Sequence, residues 1–149
     1  MNAVASIMTA CLGFAGDEIT KKLARERLAD KEKSIMGGKV TFMLRKNSGF
    51  AMNRFDSNRK LVVVVSSIVF ALLLLTYIPV ISDEGAGAVR PGLSLVLAGA
   101  AGNVYDRLAR GAVTDFINVS FLKKVVFNLA DVFIVVGGLM ALIGEMFAK

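Results

Sequence analysis

The chain has 149 residues, 55% of them hydrophobic, and a formal charge of +6 from 18 Lys and Arg against 12 Asp and Glu. It has no histidine and a single cysteine, Cys11. That excludes Ser-His and Cys-His catalysis, the commonest zinc ligand and any internal disulfide. The apolar share exceeds the roughly 45–50% of soluble domains and is gathered in blocks, so one membrane domain over residues 1–149 is expected. If the chain is an enzyme, carboxylates carry the protons, with no metal and no cofactor. No nucleic-acid motif accompanies the positive charge; basic residues beside apolar blocks meet membrane lipid or set topology.

The first apolar run, residues 3–16, extends to about residue 19 if Lys21 and Lys22 reach the interface. This gives a first span over 3–19, short against the ~20 residues a spanning helix needs. A secretory signal peptide is the rival reading, but no positive segment precedes the run. Ile7-Met8-Thr9-Ala10-Cys11 faintly resembles a lipoprotein cleavage box. With the span continuing past it, Cys11 reads as a buried small apolar residue. Lys21 to Ala29 reads as a charged helical continuation, and Gly37-Gly38 breaks it. Lys39 to Arg45 alternates enough for a strand in a small surface sheet. Asn47-Ser48-Gly49 has the composition of a plain turn. Phe50, Met52 and Phe55 around it are able to dip into lipid or cover a substrate.

Leu61 to Ile81 is a span long enough to cross alone, with Lys60 at one end and Tyr77 and Pro79 at the other. Residues 89–105 form a third span rich in Gly and Ala, and residues 125–147 a fourth in which Gly137, Gly138 and Gly144 recur. Small residues let helix backbones approach closely in lipid. Four spans would put both termini and the short Ser82–Ala88 connection on one side, and the two longer connections together on the other.

Asp115 and Asp131 fall at span ends, where a charge costs about 2.5–3.5 kcal/mol if carried to a helix centre. The segment from Arg107 to Lys124 reads as a loop that folds Asp115 back over Asp131. Asp131 itself would lie two turns below Lys124, about 10 Å at 1.5 Å per residue. Two adjacent carboxyls cannot both ionise easily, so one keeps a proton. The ionised partner can take a proton from water while the other polarises a carbonyl, which is aspartic hydrolysis. Two other readings stay open: structural pairing with Arg107, Arg110 or Asn128, and a proton or cation relay. Asn103 and Asn128 can join helices through their amides or hold a peptide backbone. Arg107 can pair with an acid or extend to a lipid phosphate.

Together these residues resemble the lipoprotein signal peptidase (signal peptidase II) family, bacterial membrane aspartic peptidases that trim prolipoproteins. Asp17-Glu18-Ile19-Thr20-Lys21 and Asn47-Ser48-Gly49-Phe50-Ala51 are similar to its first two motifs. Gly102-Asn103-Val104-Tyr105-Asp106-Arg107 with Gly111-Ala112-Val113-Thr114-Asp115-Phe116, and then Phe127-Asn128-Leu129-Ala130-Asp131, resemble the more specific third and fourth. The resemblance implies an all-α transmembrane fold: a four-helix membrane bundle with a small β cradle and a short surface helix on the extracytoplasmic face. It implies a monomer in the bacterial cell membrane that cuts just before a diacylglyceryl-modified cysteine. Asp115 and Asp131 map onto the catalytic pair, and Asn47, Gly49, Asn103, Arg107 and Asn128 onto positions that support or line the site.

One warrant opposes that orientation. Twelve Lys and Arg lie between Asp17 and Lys60, joined by Arg107, Arg110, Lys123 and Lys124, while only Arg90 and Lys149 fall on the other side. The positive-inside rule places the basic side in the cytoplasm. The resemblance places it outside, where an exported prolipoprotein presents its cysteine. The outward orientation is expected, because an inward-facing pair of acids would meet no substrate.

Overall fold

The computed structural model describes residues 2–29, 31–49, 58–83, 85–87, 89–122 and 125–147. Helix α1 runs from Ala3 to Arg27 and starts where the Asn2 side chain accepts the Ala5 amide at 2.8 Å. An N-cap of this kind satisfies one of the free N–H groups at a helix start. The apolar run and its charged continuation are therefore one helix. Cys11 is exposed on it, beside Leu12 and Met8, and is not the buried residue that the sequence suggests. That flank of α1 carries large apolar side chains and faces away from the other helices, so a small thiol there has no core to enter.

Strand β1 (Lys33–Ile35) is followed by a 3-10 turn, Met36–Gly38, and by β2 (Val40–Asn47). The segment read as a loop after Arg107 contains two further strands, β3 (Val113–Val119) and β4 (Val126–Phe127). All four join in one antiparallel sheet in the order β1-β2-β3-β4. Asp115 thus stands on a strand. Its Val-Thr-Asp-Phe-Ile-Asn-Val run has the β-branched and aromatic content that strands favour.

The β2–β3 ladder shifts register between Phe42 and Arg45. Phe42 faces Ile117, but beyond the shift Arg45 faces Asp115 and Asn47 faces Val113. Without that extra residue Lys46 would face Val113 and Asn47 would turn to the other side of the sheet. The irregularity brings Asn47 to the carboxylate of Asp115.

Helix α2 (Arg59–Ser82) is capped by Asn58, whose side chain accepts the Leu61 amide at 3.2 Å. Only Val62 and Tyr77 are buried along it, and Tyr77 hydrogen-bonds Ser94 at 3.0 Å to dock it on the next helix. That helix, α3 (Val89–Arg110), runs beyond the expected end at 105, so Arg107 and Arg110 belong to its last turn. Gly111, at φ +75°, ends it with its N–H bonded to the Arg107 carbonyl at 3.1 Å. A left-handed residue there closes a helix and is disfavoured for side chains with a Cβ.

Helix α4 (Leu129–Phe147) begins four residues later than the expected span, because Val126 and Phe127 pair with β3 first. Asp131 consequently sits in the first turn of α4, not two turns down a membrane helix. By length and composition, two of the described helices suffice to cross a membrane, α2 and α4. The two 3-10 turns, Met36–Gly38 and Ser120–Leu122, are the short helical pieces among the described residues of the long connections. Phe50, Met52 and Phe55 lie outside those residues.

Helix α3 packs against the other three, most extensively against α4. Small residues set the α3–α4 spacing. A Cβ on Gly92 would stand 2.5 Å from the Ala141 nitrogen, one on Gly99 2.3 Å from the Ala130 carbonyl oxygen, and one on Gly137 2.5 Å from that of Gly92. Gly138, expected to play the same part, faces open space. The pair gives a direct comparison. Gly137→Ala should cost about 1–3 kcal/mol, because backbone must move. Gly138→Ala should be neutral or gain up to about 1 kcal/mol of helix propensity. Thermal unfolding of the two variants in detergent measures the difference.

Candidate active site

The residues around Asp131 form a reciprocal cap. Asn128 precedes α4, and its side-chain oxygen accepts the Asp131 amide at 3.0 Å. The Asp131 carboxylate reaches back to accept the Asn128 amide at 3.2 Å. This is a capping box, with Asn and Asp in place of the usual Ser/Thr and Glu. It fixes the carboxylate where the helix dipole is positive. Its other oxygen accepts Asn103 Nδ2 at 2.9 Å.

Asn128 also holds the second acid. Its Nδ2 donates to Asp115 Oδ1 at 2.7 Å, and Asn47 Nδ2 donates to Asp115 Oδ2 at 3.1 Å. Asn128 is fully buried and Asp115 nearly so. Burial pushes the Asp115 carboxyl up from 3.8 to about 7, and the neighbouring Asp131 adds to that; the Asn47 and Asn128 amides offset part of it. Asp115, Asp131, Asn47, Asn103 and Asn128 are therefore one cluster drawn from β2, β3, α3 and the start of α4.

Arg107 and Gly49 adjoin it. The guanidinium donates to the Asn103 carbonyl at 3.2 Å and to the Gly49 carbonyl at 3.0 Å. The Gly49 amide in turn donates to Asn47 Oδ1 at 3.2 Å. Arg107 thus ties the segment after β2 to α3 through backbone, and among the described residues it forms no ion pair with the two acids. Arg110, considered above as a partner for those acids, bonds Asp106 and, at 3.0 Å, Glu18.

A second layer, of buried charges, adjoins the cluster through Asn103. Lys21, expected at the interface, is fully buried. Its ammonium lies 2.6 Å from Asp17 Oδ2, 3.6 Å from Asp106 Oδ2 and 3.1 Å from Asn103 Oδ1. Both carboxylates are fully buried too. Asp17 Oδ1 accepts the Ala130 amide at 2.9 Å, and Asp106 Oδ2 accepts the Thr114 amide at 2.8 Å. The i, i+4 spacing of Asp17 and Lys21 was the available signal; their flank of further charges hid it. Gly102 leaves room for this layer, since a Cβ there would stand 2.2 Å from Asp17 Oδ2. Among the described residues no group of His, Cys, Asp and Glu could hold a metal ion.

The family model described as signal peptidase (SPase) II matches residues 9–147. A lipoprotein signal peptidase of Caldicellulosiruptor bescii is 33% identical over 127 residues, 85% of this chain and 81% of its own length. One from Gloeobacter violaceus is 34% identical over 140 residues, 93% of this chain and 80% of its own. Two solved structures of bacterial membrane enzymes, determined by the in meso method, share the fold at 22% identity. The first has a TM-score of 0.81 and covers 95% of this chain and 87% of its own; the second has 0.80, with 97% and 94%.

The Asp115 environment predicts how stability varies with pH. Unfolded, this aspartate releases its proton near 3.8; folded, it keeps the proton to about 7. Between those values the folded state binds more protons, so this group's contribution is fully present below about pH 4 and is lost as pH rises through about 7. Asp115→Asn should flatten that decline. Chemical denaturation at a series of pH values from about 4 to 8 checks it, and parallel curves for the two proteins would contradict it.

Proposed function

The chain belongs to the signal peptidase (SPase) II family, and we propose that Asp115 and Asp131 perform its reaction, the removal of signal peptides from prolipoproteins. The observation that supports this most is Asn128, whose amide nitrogen atoms bond one carboxylate each. The two acids are held together by a neutral group, with one proton between them kept on Asp115. A water between them gives a proton to Asp131 and attacks the carbonyl carbon of the scissile bond. Asp115 donates its proton to the carbonyl oxygen. Collapse of the tetrahedral intermediate breaks the C–N bond, and the proton on Asp131 passes to the leaving amine, while Asp115 recovers its own. The bond cut is the one just before the diacylglyceryl-modified cysteine. Asn47, Gly49, Asn103, Arg107 and Asn128 line or hold the site.

We read residues 1–149 as one multi-pass peptidase domain in which all four helices cross the cell membrane, working as a monomer. Asp115 and the sheet then face the outer side, where the lipidated cysteine of an exported precursor lies. Apolar side chains exposed along α1, α2 and α4 support contact with lipid. The basic residues of the long connection are offset by six acids between Asp17 and Lys60.

Asp115→Asn and Asp131→Asn should each abolish cleavage of a diacylated lipobox peptide by the purified enzyme, since an amide cannot exchange the proton. Near-normal turnover in either variant would remove the assignment. EDTA should leave the rate unchanged.

Orientation has its own test. A Cys11→Ser protein with Lys39→Cys in the exposed turn before β2 should react on intact cells with a membrane-impermeant thiol reagent. Reaction only after the cells are opened would mean that the positive-inside rule holds and the outward-facing site is wrong.

A further inference from the structure

A groove of about 540 Å³ lies between the C-terminal half of α1 and the sheet. That is within the ~300–1,000 Å³ of ligand pockets. Its walls are apolar, with Leu23 from α1, Phe42 from β2 and Phe116 from β3. Its lining also carries Arg27, Lys31 and Lys33 against one acid, Glu32, with Lys33 opposite Phe42 across β1 and β2. All three cations are exposed, and none is ion-paired among the described residues. The order along α1 gives the groove a polarity. Thr20 closes the end next to the proposed first span, and Arg27 lies seven residues on, about 10 Å higher at 1.5 Å per residue.

We propose that this groove holds an anionic phospholipid, with the upper acyl chain against Leu23, Phe42 and Phe116 and the phosphate at Arg27, Lys31 and Lys33. An apolar trough whose lining also carries net positive charge has the chemistry such a lipid needs, apolar surface for a chain and cations for a phosphate. The diacylglyceryl group of a precursor cysteine has no phosphate and gives those cations nothing to bind. Each basic side chain near a surface adds attraction for an anionic headgroup, and the contributions accumulate. The depth of the groove rests on the membrane placement proposed above. Phe116 follows Asp115 on β3, so the bound lipid touches the strand that carries a proposed catalytic acid.

The test uses purified full-length protein in detergent, with native mass spectrometry and a parallel cleavage assay. Wild type should retain one phosphatidylglycerol and no phosphatidylcholine at equal lipid concentration. Lys31→Glu with Lys33→Glu should weaken phosphatidylglycerol retention about tenfold or more while the enzyme still cleaves. Phe42→Ala should weaken it independently by removing part of the apolar wall. Equal retention of the two lipids, displacement by millimolar inorganic phosphate, displacement by a diacylated lipobox peptide, or unchanged retention in the charge-reversed variant would each overturn the proposal. Cleavage separates it from the reading it rests on: a wild type that cuts but retains no lipid ends only this inference, and a wild type that never cuts ends the other.

Discussion

A single ammonium group, that of Lys21, holds this molecule's working end together. It lies without solvent contact among Asp17, Asp106 and Asn103. Each of those partners is spent on a different element. Asp17 takes an N–H from the start of α4, and Asp106 takes one from β3 beside Asp115. Asn103 takes the ammonium and Asn128 Nδ2 on its oxygen, which leaves its own nitrogen to face Asp131. An amide has one acceptor oxygen and one donor nitrogen, so the cation decides which way Asn103 points. Removing one member of a buried ion pair costs about 3–5 kcal/mol because the other charge is stranded. Here the loss would strand two carboxylates and release the amide that holds Asp131.

The same end of α4 shows how a reactive carboxylate can also be structural. The first amides of a helix have no partner within it. In α4 the Ala130 N–H goes to Asp17 and the Asp131 N–H to Asn128. Asp131 closes the cap from the other side. Its position is therefore set by satisfied backbone, a stiffer constraint than side-chain packing alone. The glycines of α3 allow that cap to form, since Gly99 lies against the Ala130 carbonyl and Gly102 against Asp17.

Much of this is legible in the sequence, and the reasons for the gaps are physical. Leu61 to Ile81 announced α2 because a long apolar run has few alternatives. Lys39 to Arg45 announced β2 by alternation, and Gly37-Gly38 marked the break before it. The start of α4 is hidden in the sequence because Val125 to Phe127 is as apolar as the helix beyond it, and hydropathy cannot separate a strand residue from a helix residue. The Asn-x-x-Asp spacing of a cap was the better boundary signal. The burial of Lys21 is not legible locally, because its pairing with Asp106 joins positions far apart in the chain, which no local pattern reports. The β2 register shift was invisible for the same reason, since an added residue shows only against its partner strand. Asp115 and Asp131 are legible as a pair from their places at span ends, whereas Asn47, Gly49, Asn103, Arg107 and Asn128 are legible as candidates only through the family resemblance of the motifs that hold them, since Asn47-Ser48-Gly49 alone has the composition of a plain turn.

The cluster has a division of charge set by these placements. Cations are plentiful nearby, yet among the described residues none forms an ion pair with Asp115 or Asp131. Lys21 is held by Asp17 and Asp106, and Arg110 by Asp106 and Glu18. Arg107 donates to backbone carbonyls. The side-chain donors to the two acids are neutral amides, those of Asn47, Asn103 and Asn128. An ammonium or guanidinium at the same distance would favour the ionised carboxylate and draw it below the ordinary range. Amides orient the acid with a much weaker pull. That difference lets burial and the second carboxylate dominate, so that Asp115 carries its proton to about pH 7. A layer of buried salt bridges thus does the holding, and a layer of asparagines passes that rigidity to the two aspartates without neutralising them.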